Sequence, residues 1–111
     1  MVVANGANAA GNPPDSGVAD PAAGPALLTA LQVMQDAPVI PVIVLHDVAH
    51  AVPMARALLA GGIRMLEITL RTPQALACME AIARDVPDAV LGAGTVRSAA
   101  DARSAAGAGG R

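Results

Sequence analysis

The run Arg64-Met65-Leu66-Glu67-Ile68-Thr69-Leu70-Arg71-Thr72 sets a carboxylate inside an apolar stretch and a guanidinium at its exit. Read as a strand, alternation puts Met65, Glu67, Thr69 and Arg71 on one face and Leu66, Ile68 and Leu70 on the other. The second face is wholly apolar and must meet a core. The first carries groups that are rarely buried unless they are paired or used. Along an extended strand Arg71 lies about 13 Å from Glu67, but its long side chain can fold back over the opening. A carboxylate facing an enclosed interior can trade protons with a bound molecule. A guanidinium at the rim can clamp a ligand carboxylate through two parallel hydrogen bonds. Further on, Gly92-Ala93-Gly94-Thr95 offers two glycines that allow close backbone approach and a hydroxyl that can donate to a ligand.

Each of these features has a plainer reading. Glu67 and Arg71 can equally be a structural ion pair in a barrel interior. Gly-x-Gly-Thr is more often a tight turn than a ligand cradle. His46 and His50 fall in a loop and at a helix start, where imidazoles are usually solvated. Two histidines without a third ligand make no metal site. Cys78 lies on the apolar side of a helix and reads as core.

The elements that must position these groups alternate. A helix is expected from Pro25 to about Asp36, with Leu27, Leu28, Leu31 and Met34 inward. Val39 to Leu45 is a continuous apolar, β-branched run, the mark of a parallel strand covered on both faces, although Pro41 argues for an edge. Asp47 suits an N-cap for a helix with Val52, Ala55, Leu58 and Leu59 inward, ending at Gly61-Gly62. Pro53 implies a later start or a bent first turn. After the strand at 64–70, Thr72-Pro73 reads as an N-cap and first helical residue. Leu76, Met79, Ile82 and Ala83 form that helix's stripe, and Pro87 stops it. Ala89 to Ala93 is a third strand, and Ser98 with Asp101 resembles a capping box for a last helix of about eight residues.

Helix, then three βα units, implies a parallel sheet with right-handed crossovers. In such folds ligands meet the carboxyl ends of the strands, where His46, Leu70-Arg71-Thr72 and Gly92-Ala93-Gly94-Thr95 fall. Residues 1–24 are poor in bulky apolar side chains and read as a disordered leader. Residues 109–111 read as a tail. The 111 residues hold no Phe, Tyr or Trp, no Lys, seven Arg, one Cys and a net charge of −2. No basic patch or stacking platform suggests nucleic acid. No apolar run reaches the roughly 20 residues of a membrane span, and no secretory signal opens the chain. A soluble cytoplasmic chain is expected.

The segments Pro38–Val44, Ala51–Ala55, Ala60–Ile63, Leu66–Pro73 and Val86–Val96 together resemble the bifunctional 2-dehydro-3-deoxy-6-phosphogluconate and 4-hydroxy-2-oxoglutarate aldolases. The similarity covers about residues 25–108, and the blocks LEITLRTP and VLGAGTV are specific in combination. It implies a (β/α)8 barrel, of which about three units preceded by one helix are present, and the amino-terminal part of such a barrel over residues 25–108. It further implies a homotrimer, a 2-oxo acid substrate, no cofactor, and a lysine that forms a Schiff base with the substrate. Retro-aldol cleavage would then release pyruvate, with glyceraldehyde 3-phosphate or glyoxylate as co-product.

By this resemblance Glu67 is the proton-shuttling acid/base, Arg71 holds the substrate carboxylate, and Thr95 supplies a hydroxyl at the pyruvyl end. The family's lysine lies on a later strand and has no counterpart here; arginine stays protonated and cannot replace it. The chain is therefore expected to be the opening of a longer barrel and inactive alone. Two alternatives remain open. One is a non-catalytic fragment or interaction partner that completes a barrel with another chain. The other is a small pyruvate- or phosphate-binding module.

Overall fold

The computed structural model describes residues 28–111 apart from Pro38. The leader expected over 1–24, and the first residues of the helix expected from Pro25, lie outside the described residues. Three parallel strands, β1 (Val42–Ile43), β2 (Met65–Thr69) and β3 (Val90–Gly94), form a sheet in the order β1-β2-β3. Between and around them run α1 (Ala30–Asp36), α2 (Ala51–Ala60), α3 (Ala75–Asp85) and α4 (Ala99–Gly107). In β2 and β3 Met65 pairs with Val90, Glu67 with Gly92 and Thr69 with Gly94, while Val42 of β1 pairs with Glu67.

The two faces of the sheet differ as the alternation predicts. Leu66, Ile68, Leu91 and Ala93 point into a core shared with Ala51 and Ala55 of α2, Ala75, Cys78, Met79 and Ile82 of α3, and Ala105 of α4. Without aromatic residues the volume is filled by aliphatic side chains, and the alanines let α2 and α3 approach the sheet closely. Leu66, Ile68, Met79 and Ile82 are fully buried, each contributing about 1.5–3 kcal/mol of burial. On the other face Met65 and Val90 pack with Val33 in a smaller cluster. Glu67, Thr69, Gly92 and Gly94 continue that face toward the carboxyl ends of the strands.

Two expected stripes are corrected. In α1 the buried side chain is Val33, whereas Leu31 and Met34 are 62% and 74% exposed. Thr29 caps this helix through a full capping box with Gln32. That start turns Val33 toward Met65 and Val90, with Leu28 packed beside it. β1 is not covered on both faces. It is a two-residue edge strand with Val42 exposed; of the residues flanking it, Val39 and Val44 are exposed and Leu45 is buried. Pro41 lies on its bonding side, where its carbonyl accepts from Glu67 N at 3.1 Å. Proline has no N–H to extend the ladder backward.

The helix starts follow local hydrogen bonds. Asp47 accepts from Ala49 N at 2.9 Å and opens a 3-10 turn, Val48–His50, that leads into α2. Pro53 then falls in the first turn of α2, where no donor is required. Thr72 is not an N-cap: its hydroxyl donates to the Leu45 carbonyl, and α3 starts after Gln74. Ser98 does cap α4, accepting from Asp101 N at 3.0 Å. The Asp101 carboxylate accepts from Arg97 N at 3.0 Å, one residue before the position a capping box uses. Residues 109–111 run beside β3: Gly110 bridges Leu91 in parallel, and Arg111 N donates to Leu91 O at 2.8 Å.

Candidate functional site

The carboxyl ends of β2 and β3 are tied by Leu70 N, which donates to Gly94 O at 2.9 Å. This bond sets the turn after β2 against the turn after β3. It brings Arg71 and Thr95 together, and Arg71 Nε donates to Thr95 Oγ1 at 3.2 Å. Arg71 therefore does not stand on an extended strand, since β2 ends at Thr69. The guanidinium is exposed at the rim, and its Nε edge is engaged by the Thr95 hydroxyl. Its two terminal nitrogens form the opposite edge of the planar fork, the edge suited to a carboxylate.

Thr95 has φ 58°. A β-branched residue in the left-handed region is strained, and strain of this kind gathers where a side chain must be held in one place. Here it accompanies the hydroxyl's engagement with Arg71. Glu67 is half-buried on the sheet face opposite α2 and α3, level with Val42 and Gly92 on the neighbouring strands. Its carboxylate lies over Gly94: a Cβ built on Gly94 would stand 2.2 Å from Oε1. The glycine expected to admit a ligand thus admits a side chain of the protein.

One polar residue that the sequence reading left without a role also belongs here. Thr69, 1% exposed, donates through Oγ1 to the Ile43 carbonyl at 3.1 Å. With Thr72 bonding Leu45 one turn later, two hydroxyls hold the short edge strand against β2. Alternation alone placed Thr69 on the Glu67 face; only the strand order shows what its hydroxyl reaches. His46 and His50 are exposed. Cys78 is buried in the core, and burial, followed by the Asp47 charge, pushes its thiol pKa up. An inert structural cysteine has this character.

The arrangement sets the Glu67 carboxylate over Gly94 and the Arg71 guanidinium against the adjoining Thr95, at an open strand end. Residues 31–111 match the family model for KDPG and KHG aldolases. The chain belongs to that family. It is 61% identical over 67 residues to a 2-dehydro-3-deoxy-phosphogluconate aldolase of Pseudoalteromonas atlantica, covering 60% of this chain and 31% of the relative. To the KHG/KDPG aldolase of Escherichia coli it is 54% identical over 68 residues, 61% of this chain and 32% of that one.

Among solved structures, a KDPG aldolase from Legionella pneumophila superposes with TM-score 0.69 at 45% identity, over 72% of this chain and 39% of its own. That structure holds pyruvate captured at low pH as a covalent carbinolamine intermediate. The Zymomonas mobilis enzyme with 3-phosphoglycerate gives 0.67 at 51% identity, over 70% and 37%. The chain spans about a third of the length of the curated relatives it matches. Its open three-stranded sheet is a part of their α/β barrel.

Proposed function

We propose that Glu67, Arg71 and Thr95 are the acid/base and carboxylate-binding part of a class I aldolase. Its substrates are 2-dehydro-3-deoxy-6-phosphogluconate, cleaved to pyruvate and glyceraldehyde 3-phosphate, and 4-hydroxy-2-oxoglutarate, cleaved to pyruvate and glyoxylate. Arg71 binds the carboxylate of the 2-oxo acid, and Thr95 Oγ1 orients the guanidinium. Glu67 carries protons between the substrate hydroxyl, the water lost and the pyruvyl carbon. The reaction needs an amine that condenses with the 2-oxo carbon and accepts the electron pair of the breaking carbon–carbon bond. These 111 residues contain no lysine, so this stretch does not turn over by itself. A homotrimer in the cytoplasm, and a barrel domain that takes in residues 25–108, belong to the same proposal.

The observation that carries the reading is the Arg71–Thr95 hydrogen bond beside the Glu67 carboxylate, in a chain of this family. Its test is a pyruvate-release assay coupled to lactate dehydrogenase, run beside an NMR titration with pyruvate. The reading expects no release from either substrate and a pyruvate-dependent shift of the Arg71 Nε–H signal. Release of pyruvate, or an Arg71 signal indifferent to it, contradicts the assignment.

β1 favours a second reading, in which the chain is an interaction partner that completes a barrel with another chain. Val42 in this edge strand and Val44 just after it are 60% and 42% exposed, and such edges pair readily with further strands. Co-purification with a strand-bearing partner that protects the β1 amides from exchange would support it. Free exchange of those amides in the presence of the partner would count against it.

A further inference from the structure

We infer that Gly94 is a positioning residue for Glu67: only a residue without Cβ at this point of β3 lets the carboxylate keep its place at the strand ends. The inference rests on the proposed function for what Glu67 does, but not for where it sits.

Glycine is usually demanded by backbone conformation. Among the described residues Gly62 and Gly109 have positive φ, and Gly94 does not. Its backbone is ordinary strand, opposite Thr69 in register, with its carbonyl bonded by Leu70 N. The three atoms nearest to a side chain there all belong to Glu67: a Cβ would lie 2.2 Å from Oε1, 3.0 Å from Cδ and 3.2 Å from Cγ.

Two relaxations could relieve that overlap. The strand could shift, which would break ladder bonds, or the carboxylate could swing away about its own torsions. The nearest atom is the far end of a flexible side chain, so the carboxylate yields. To reach van der Waals separation it must move by about 1 Å. Displacements of that size cost about 100-fold where a group has to meet a reacting atom. Gly94→Ala should therefore leave the fold almost as stable while spoiling the site. Gly109 differs, since its Cβ would meet the Ala83 Cβ at 2.6 Å, a contact that has no such release.

The test uses the full chain labelled at the glutamate carboxyl carbons. Glu67 and the exposed Glu80 are its only glutamates, so Glu80 serves as the internal reference. In the parent chain a nuclear Overhauser contact should join Gly94 Hα to Glu67 Hγ. In Gly94→Ala the Glu67 carboxyl signal should move while Glu80, the Leu70 amide and the denaturation midpoint stay. Added pyruvate should shift Glu67 in the parent and lose that effect in the variant, with the Arg71 response kept. Should Gly94→Ala fail to fold, Glu67→Ala/Gly94→Ala should fold and match the stability of Glu67→Ala alone.

A parent spectrum without the contact, an unmoved Glu67 carboxyl, or a double variant less stable than Glu67→Ala overturns the inference. A parent chain indifferent to pyruvate would instead refute the functional reading. The ligand-free carboxyl signal would still decide the placement.

Discussion

Replacing Arg71 by Gln tests the clamp with little disturbance of the fold, because the side chain is exposed at the rim. Arg71 spends its Nε on Thr95 Oγ1 and keeps the edge formed by its two terminal nitrogens. A 2-oxo acid carboxylate bound there accepts two charge-assisted hydrogen bonds; Gln offers at most one neutral donor. Hydrogen bonds to charged groups contribute about 1.5–3 kcal/mol each, and solvent screening at an exposed site favours the lower end. A net loss of about 1.5–2 kcal/mol means roughly 10- to 30-fold weaker binding. The assay is an NMR titration with pyruvate, following Thr95 and Glu67 signals. Arg97→Gln serves as a control of equal charge change, since only the backbone N–H of Arg97 is bonded, to Asp101. Equal affinities for Arg71→Gln and Arg97→Gln would show that net charge, not the fork, holds the ligand.

Three further outcomes follow from the packing. Gly62→Ala should cost about 1–2 kcal/mol, the strain of φ +89° alone, since a Cβ there meets nothing within 4 Å. Gly109→Ala should cost about 1–3 kcal/mol more, because overpacking against Ala83 adds to the strain of φ +98°; matched urea midpoints for the two variants would refute this. Cys78 should make stability fall in alkali. Its folded thiol pKa is raised by burial, so the unfolded chain releases the proton first. The contribution is full below the unfolded value of about 8.5 and is lost as pH rises through the folded one. Urea titrations from pH 7 to 10 should show this decline in the parent and not in Cys78→Ala; equal slopes would contradict it.

The order of elements was legible because each had a local signature: alternation in 65–69, helical spacing in 75–85, and the Ser98 cap. Glu67 and Arg71 stood out as polar groups in an apolar run and Thr95 as a hydroxyl after two glycines, but the Arg71–Thr95 bond needs the strand order. What was hidden depended on neighbours distant in sequence. Leu31 and Met34 have sound helical spacing, but Val33 is the residue that α1 turns toward Met65 and Val90. The Val39–Leu45 run satisfies the pattern of a covered strand, yet it lies at an edge where Pro41 ends the ladder. Thr72 has the sequence of an N-cap, and the Leu45 carbonyl takes its hydroxyl. The seat of Glu67 on Gly94 joins residues 27 positions apart, and nothing in either segment announces it.

The central claim is that this stretch has the carboxylate and the clamp but not the amine. It is tested most directly by incubating the purified chain with pyruvate and borohydride, then mapping the product peptides by mass spectrometry. No pyruvate adduct is expected on any residue beyond the amino-terminal amine. A reduced imine on a side chain within residues 28–111 would contradict it.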